Sequence, residues 1–358
     1  MRERLSYFDN VKGVLIALVV VGHLLEPLTK TSSGNLFGFA LADAIYLFHM
    51  PLFVFVTGLF SKSVFRNGIY RSEVPIYYFV VCFMLYGALM IEKMLLGADV
   101  DVNFLTLNGR IPWYLMAAGF YVVSVPLFSR IRPSLALSGS VVIALLAGLV
   151  EGTNMLSATR VISFLPYFLA GYYLKPQWIT DQKKRWFGGS RVIAVAPIVL
   201  VAIADVAFFS VCDVEQKTFL FKMFYGKLSY GEALSASGLN ISLWLCAVVR
   251  LVHYGVVGIV GVALFAAIPT GFVPILTKAG ERSLQVYILH PFIYYYLNSI
   301  HFSKSLMLGS DIVSTLVLVL LGVAIAVVLS LPAAPQRWLD SLKSAIGKVV
   351  GGGVSSIR

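Results

Sequence analysis

A lysine and a histidine in the first apolar segment have residue types and a spacing that suit chemistry inside a membrane. Lys12 stands at the start of the segment and His23 lies deep within it. On a helix the eleven-residue step turns through about 20° net and rises about 16 Å, so both side chains share one face. If Lys12 lies at the water boundary, His23 lies about halfway through a hydrocarbon core about 30 Å thick. Ionisable groups at that depth are costly, and they usually serve a function or meet a buried partner.

The composition predicts that these two residues belong to a polytopic membrane protein. Hydrophobic residues make up 59% of the 358 residues and charged residues only 13%, a balance far from that of a soluble domain. We predict an all-α, multi-pass protein with about ten transmembrane helices. A single transmembrane domain covers residues 1–335, and a basic cytoplasmic tail over residues 336–358 need not be ordered. Residues 239–268 are long for one span, so we divide them into an amphipathic approach and a helix from about Tyr254.

The charge pattern predicts the orientation of the chain and excludes one class of partner. The net charge is +11, but the basic residues are scattered in short loops between apolar runs. Membrane topology and anionic membrane lipids explain this pattern better than nucleic acid does. With the N-terminus inside, most of the 28 Lys and Arg residues lie on one side, which favours a plasma-membrane protein with both termini in the cytoplasm. The three cysteines lack metal-ligand spacing, and we expect no metal.

Short motifs occur in order along nearly the whole chain. They are FDNVKG (8–13), FHMPLFVFVTG (48–58), WYL (113–115), FLPYFLAG (164–171) and GERSLQVYILHP (280–291), together with the Lys12 and His23 spacing. This set resembles the acyltransferase-3 family, and the branch is similar to fucose 4-O-acetylase-type proteins. The resemblance implies ten membrane helices, an acyl-CoA donor used from the cytoplasm, and transfer of the acyl group to a hydroxyl of a sugar or a polyprenyl-linked glycan.

His23 and Glu26 are the candidate catalytic residues. Acyl transfer from a thioester to an alcohol requires removal of the hydroxyl proton, and an imidazole has the unperturbed pKa that suits this near neutrality. Glu26 follows at i,i+3 and could hold the imidazole tautomer or stabilise its charged form. His23 could instead only form hydrogen bonds between helices. Glu26, next to Pro27, could instead be a solvated residue at the end of a helix.

Cations are the candidates for binding the phosphates of acyl-CoA. Lys12, Arg66 and Arg71 are the best placed, because arginine binds phosphate in bidentate fashion and lysine supplies a point charge. The family usually has two arginines with two residues between them, whereas Arg66 and Arg71 have four between them. Each of the three cations has an alternative role as a topology signal.

Five further residues are candidates for lining the acceptor cavity: His49, Trp113, Arg160, Tyr287 and His290. His49 could instead satisfy carbonyl groups that Pro51 leaves without a donor. Tyr287 and His290 share a helix face at i,i+3 and could be only a packed polar pair. Arg160 could extend to the membrane interface, and Trp113 could belong to an interfacial aromatic belt.

We therefore predict an integral membrane O-acyltransferase that moves an acetyl group from cytoplasmic acetyl-CoA to a hydroxyl of a cell-surface or lipid-linked sugar. Acetyl-CoA is the co-substrate, and the expected partners are acyl-CoA, the glycan acceptor and membrane lipids. Three alternatives remain open at this point: a secondary transporter, an O-succinyltransferase, and an assembly subunit for an exopolysaccharide. The absence of an evident internal repeat weighs against the transporter.

Overall fold

The computed structural model describes residues 6–29, 34–100, 102–106, 111–151, 155–183, 185–306 and 309–355. Residues 356–358 of the expected tail lie outside the described part of the chain, as do the basic residues Arg2, Arg4 and Lys184. The fold is all-α, as predicted, with one short hairpin of strands β1 (Phe65–Arg66) and β2 (Ile69–Tyr70).

The described part of the chain contains sixteen α-helices. They are α1 (Ser6–Leu25), α2 (Leu36–Phe60), α3 (Glu73–Leu95), α4 (Trp113–Phe128), α5 (Pro133–Ala147), α6 (Ala158–Tyr173), α7 (Pro176–Lys183), α8 (Arg191–Val211), α9 (Val214–Tyr225), α10 (Tyr230–Ser237), α11 (Leu243–Ala267), α12 (Pro274–Glu281), α13 (Ser283–Ser299), α14 (Phe302–Ser305), α15 (Asp311–Ser330) and α16 (Ala334–Ser355). Residues 336–355 of the expected tail therefore belong to a helix, α16.

The chain divides into two compact units. The first comprises Met1–Phe53, Gly148–Glu151 and Pro176–Leu331, and the second comprises Val54–Ala147, Gly152–Lys175 and Pro332–Arg358. The first unit contains α1, the first part of α2, and α7 to α15. The second contains the end of α2, the β-hairpin, α3 to α6, and α16.

Among the described residues, six helices are long and apolar enough to cross a membrane. They cover Ser6–Thr29, Leu36–Val64, Glu73–Leu95, Arg191–Phe208, Leu243–Ala267 and Asp311–Ser330, while α4 and α5 are apolar but shorter. The predicted count of about ten spanning helices is not confirmed.

The division of residues 239–268 was wrong, because α11 is one continuous helix. Two polar residues, Arg250 and His253, interrupt its apolar sequence, but each has a buried partner. The guanidinium carbon of Arg250 lies 4.6 Å from the centroid of the Tyr230 ring, and the Nε2 of His253 lies 2.7 Å from the carbonyl oxygen of Leu47. Polar side chains that are satisfied in this way do not end a helix.

The bond between His253 and Leu47 also explains how α2 continues through a proline. Pro51 lacks an N–H group and therefore cannot donate to the carbonyl of Leu47, four residues earlier. His253 of α11 supplies that missing donor. His49, which could have done so, instead places its Nδ1 2.6 Å from the carbonyl oxygen of Ile45.

Neighbouring helices pack very close to α1, and glycines stand at the points of contact. A Cβ atom on Gly280 of α12 would collide with the carbonyl of Asp9, and one on Gly13 would collide with the carbonyl of Leu276. Gly322 of α15 meets the backbone of α1 in the same way. These contacts involve backbone atoms, which cannot move aside as a flexible side chain can.

The start of α1 is also tied to the loop before α12. The amide of Asn10 donates to the carbonyls of Pro269 (2.9 Å) and Gly271 (2.7 Å). Its oxygen accepts from the hydroxyl of Thr277 at 2.6 Å. The FDNVKG stretch thus fixes the position of the helix that carries His23.

Lys183, at the end of α7, caps the C-terminus of α11. Its ammonium donates to the carbonyls of Phe265 (2.9 Å), Ala266 (2.7 Å) and Ile268. These carbonyls belong to the last turn of a helix and lack intrahelical donors. The side chain is buried, and desolvation lowers the pKa of Lys183 to about 8.

Replacing Gly280 by alanine should loosen the contact between α12 and α1. We expect Gly280→Ala to destabilise the protein by about 1–3 kcal/mol, as overpacking of a tight contact does. Gly258→Ala in α11 is the matched control, because its Cβ would meet nothing within 4 Å. Thermal unfolding of the detergent-purified variants measures both effects, and equal unfolding midpoints for the two would contradict this account.

Replacing Lys183 by methionine should leave the end of α11 without its donor. We expect Lys183→Met to cost about 2 kcal/mol, because buried carbonyls lose their hydrogen bonds. Lys175→Met is the control. Lys175 is exposed and directly precedes α7, the helix that ends with Lys183. Denaturant unfolding of the two variants side by side tests this; a similar loss of stability in both would show that the cap contributes nothing specific.

Candidate functional site

The first unit brings His23, Glu26 and Tyr294 into one hydrogen-bonded group. The Nδ1 of His23 lies 3.4 Å from Oε2 of Glu26, at the long end of the hydrogen-bond range. The hydroxyl of Tyr294, on α13, donates to the same oxygen at 3.2 Å. An ionised carboxylate can only accept, so in a neutral His23 this contact favours the tautomer with the proton on Nδ1 and the lone pair on Nε2.

Local structure accounts for the position of Glu26. Helix α1 ends at Leu25, and residues Glu26–Thr29 form a single 3₁₀ turn. The turn keeps the carboxylate one helical turn after His23, where an i,i+3 pair can meet. The side chains of His23 and Glu26 are 15% and 19% exposed, respectively, so both are partly accessible, although His23 lies within an apolar helix and Glu26 directly follows it.

A second layer of aromatic and imidazole rings surrounds His23. The ring centroid of His290 lies 5.3 Å from that of His23, as does the centroid of Tyr294. Tyr46 of α2 lies at 6.4 Å and in turn contacts His49 at 5.0 Å. Four of the predicted site residues, His23, Glu26, His49 and His290, are therefore gathered at one place in the first unit.

His290, whose ring lies beside that of His23, has a buried acceptor atom. Its Nδ1 lies 3.0 Å from the carbonyl oxygen of Val286 and carries the proton in that contact. Its Nε2 is buried and, among the described residues, has no hydrogen-bond partner. Tyr287 lies one turn earlier, with its ring 5.9 Å from that of His290. A buried acceptor of this kind is costly unless a ligand or water supplies a donor.

Helix α9 contributes a tyrosine to the same cluster of rings. One face of α9 packs through Phe219 and Met223 into a core with α10 and α11. The other face carries Phe221 and Tyr225, and the Tyr225 ring lies 5.6 Å from that of Tyr46. Since Tyr225 is only half-buried, its ring borders the accessible side of the cluster.

Lys12 has a partner within its own helix. Its ammonium lies 2.7 Å from Oδ1 of Asp9, whose side chain is 3% exposed, while that of Lys12 is 21% exposed. The lysine thus neutralises a buried carboxylate one turn away. This contact gives Lys12 a structural role, and the prediction that it also binds the phosphates of CoA stays a prediction.

The second unit places Arg66 and Arg71 on either side of the β-hairpin. Arg66 is exposed on β1, and the turn that follows has positive φ at both Asn67 (54°) and Gly68 (77°). Arg71 lies just after β2, and its Nε donates to Oε1 of Glu73 at 2.8 Å. The four residues between the two arginines are therefore a tight turn and a strand, which accounts for a spacing different from the family pattern.

Trp113 and Arg160 contact each other in the second unit. The guanidinium carbon of Arg160 lies 4.9 Å from the centroid of the Trp113 ring, a distance typical of a cation–π contact. Both residues are buried, at 8% and 3% exposure. Each side chain is therefore covered by protein, and the prediction that both line the acceptor cavity stays a prediction.

Sequence reasoning missed Tyr294, Tyr46 and Tyr225. A signal existed for Tyr294, since Tyr287, His290 and Tyr294 have i, i+3, i+7 spacing and share one helix face. Tyr46 stands three residues before His49 and could have been found in the same way. Tyr225 lies at the end of α9, a helix of mixed polar and apolar residues, and nothing in its neighbourhood marks it.

The chain belongs to the acyltransferase-3 family, because the family model described as an acyltransferase domain matches residues 5–334. The nodulation protein NolL of Sinorhizobium fredii is 30% identical over 187 residues, which are 49% of this chain and 50% of that protein. NolL of Mesorhizobium japonicum is 41% identical over 56 residues, 16% of this chain and 15% of that protein. The chain thus spans about half the length of these curated relatives, or less. No solved structure matches it.

The hydrogen-bonded group predicts a graded loss of acyl-transfer activity. Glu26→Gln should lower the rate by about 100-fold or more, because an amide does not stabilise an imidazolium as a carboxylate does. Tyr294→Phe should lower it about tenfold, since it removes one hydrogen bond to Glu26. Initial rates of the purified variants check the order. Tyr296→Phe, an exposed residue of the same helix, is the control, and a loss there as large as for Tyr294→Phe would contradict the assignment.

Proposed function

We propose that this acyltransferase moves an acetyl group from acetyl-CoA, used at the cytoplasmic side of the plasma membrane, to a hydroxyl of a cell-surface or lipid-linked sugar. His23 is the general base of the reaction. The observation that carries the proposal is the contact of its Nδ1 with Glu26, which leaves Nε2 free to accept a proton.

The reaction needs one proton to move from the acceptor oxygen to the leaving sulfur. His23 Nε2 takes the hydroxyl proton as the acceptor oxygen attacks the thioester carbonyl carbon. The carbon–sulfur bond then breaks, and the imidazolium returns the proton to the CoA sulfur. The products are the acetyl ester and free CoA thiol. While His23 is protonated, Glu26 stabilises its charge, and Tyr294 holds Glu26 in place.

The phosphates of CoA are assigned to Lys12, Arg66 and Arg71. The support is chemical, because a donor with several phosphate charges requires cations, and these three belong to segments expected on the cytoplasmic side. Exposure of Arg66 and Arg71 keeps their guanidinium groups accessible to a ligand. Both termini are placed in the cytoplasm on the same charge pattern.

The acceptor is assigned to the ring cluster beside His23. Tyrosine combines an apolar ring with a polar hydroxyl, and a sugar combines an apolar ring face with a rim of hydroxyl groups. Tyr46, Tyr225 and Tyr294 offer that combination next to the base. The buried Nε2 of His290 could accept a hydrogen bond from a sugar hydroxyl. His49 and Tyr287, in the same unit, are proposed to shape this environment. Trp113 and Arg160, in the second unit, remain proposed cavity residues on their sequence positions alone.

Membership in an acyltransferase family favours this reaction over transport. An enzyme releases CoA thiol from acetyl-CoA in detergent without any ion gradient, and a transporter does not. Supplying succinyl-CoA in parallel shows which acyl group is used.

Replacing His23 should abolish the reaction while the protein stays folded. We expect His23→Asn to lower CoA thiol release, with membranes from gene-deleted cells as the acceptor source, by about 10²–10⁴-fold. His301→Asn is the matched control, because His301 is exposed and its φ of 52° is tolerated by asparagine. Mass spectrometry of surface glycans gives an independent readout. Undiminished acetate on glycans from cells that carry only the His23→Asn protein would reject His23 as the base.

A further inference from the structure

Helix α16 of the second unit has an exposed apolar strip. Trp338 and Val349 are 50% and 79% exposed, and Leu342 is half-buried. At about 100° per residue these three positions fall within about 40° of one another round the helix. Large apolar side chains that share one open strip mark an interaction surface rather than a solvated face.

One side of this strip is already packed within the second unit. Leu339 is 2% exposed, and the ammonium of Lys343 lies 5.8 Å from the centroid of the Tyr77 ring of α3. A Cβ atom on Gly347 would lie 3.9 Å from the side chain of Glu73, also on α3. Helix α16 is thus held against α3 by one face, while the strip points elsewhere.

The other side of the strip is bordered by a basic row. Arg337 and Lys348 are exposed and lie about 100° round the helix from Trp338 and Val349, each one residue earlier in the sequence. The acidic residue in this part of the helix, Asp340, accepts a hydrogen bond from the amide of Gln336 at 3.0 Å. The open face of α16 therefore combines an apolar strip with positive charge.

Packing within the second unit brings this face to a membrane surface. Helix α16 contacts Glu73 and Tyr77 of α3, the helix that forms the candidate span Glu73–Leu95. Because both residues lie in the first two turns of α3, α16 lies near one end of a helix that is long and apolar enough to cross a membrane. An amphipathic helix with an aromatic anchor and basic neighbours is the usual form of a helix that lies in the headgroup region.

We propose that α16 lies in the interface of the membrane and binds anionic lipid headgroups. Trp338, Leu342 and Val349 enter the boundary of the acyl chains, and Arg337 and Lys348 contact lipid phosphates. The positive charges of α16 favour an anionic lipid over other binding partners. A purely apolar partner, or a second copy of this basic helix, would leave the row of Arg337 and Lys348 without a counter-charge, whereas an anionic lipid supplies one.

Spin labels at two positions of α16 test the proposal. Val349→Cys places a nitroxide on the strip, and Ser344→Cys places the matched control on the exposed polar side. Cys212→Ser removes the partly exposed native cysteine, while Cys82 and Cys246 are buried. The full-length protein is placed in nanodiscs of phosphatidylcholine alone or with phosphatidylglycerol.

We expect oxygen to reach the label at 349 more readily than the label at 344. A water-soluble nickel complex should reach the label at 344 more readily than the label at 349. Adding phosphatidylglycerol should increase the ratio of oxygen to nickel accessibility at 349 about tenfold, and Arg337→Gln with Lys348→Gln should remove that increase. Lys175→Gln with Lys217→Gln controls for net charge and should leave it intact.

Three results would overturn the proposal. One is equal nickel accessibility at 349 and 344 in both membranes. Another is spin–spin broadening at 349, which would identify a second copy as the occupant. The third is equal amide hydrogen exchange of residues 334–351 in the two kinds of nanodisc, measured on the unmodified protein, which needs no variant to fold.

Discussion

An imidazole can occupy an apolar helix only if its polar atoms have partners, and this constraint explains the first unit. His23 meets Glu26 at 3.4 Å, and Glu26 in turn receives the hydroxyl of Tyr294 at 3.2 Å. Each of these groups would be costly alone in an apolar environment. Together they satisfy one another, and among the described residues they leave the Nε2 of His23 without a hydrogen-bond partner, which is the property that a base requires.

The rest of the first unit keeps α1 in place. Gly280 and Gly13 allow α12 to reach the backbone of α1, and Asn10 ties its first turn to the preceding loop. The start of the helix is thus held by close backbone contacts and by the side chain of Asn10, and its end by the hydrogen bonds among His23, Glu26 and Tyr294. A catalytic group held on a rigid, closely packed helix keeps its geometry better than one on a loop.

Polar residues in the apolar helices mostly turn out to complete the fold. His253 supplies a donor that Pro51 cannot give, Arg250 lies over Tyr230, and Lys183 caps α11. In each case a helix leaves a carbonyl or a ring exposed to the interior, and a polar side chain from elsewhere meets it. The group around His23 differs, because it also keeps a partly accessible surface.

Much of the site could be predicted from the sequence, and the reason for each gap is physical. Helical periodicity gives contacts within a helix, so the pairing of His23 with Glu26 followed from spacing alone. Contacts between helices depend on packing that spacing does not determine, which is why Tyr294 was missed. The continuity of α11 was missed for the same reason, because the buried partner of His253 lies about 200 residues earlier in the chain. The count of spanning helices was likewise inferred from apolar lengths, which six helices meet among the described residues.

The most direct measurement of the central claim is the tautomer of His23. Solid-state NMR of the ¹⁵N-histidine-labelled protein in lipid, with the His23 signals assigned by difference from a His23 variant, distinguishes a protonated Nδ1 from a protonated Nε2. The account predicts that Nδ1 carries the proton and that Glu26→Gln weakens this preference. A proton on Nε2 in the native protein would contradict it, because His23 would then have no lone pair directed away from Glu26 with which to act as the base.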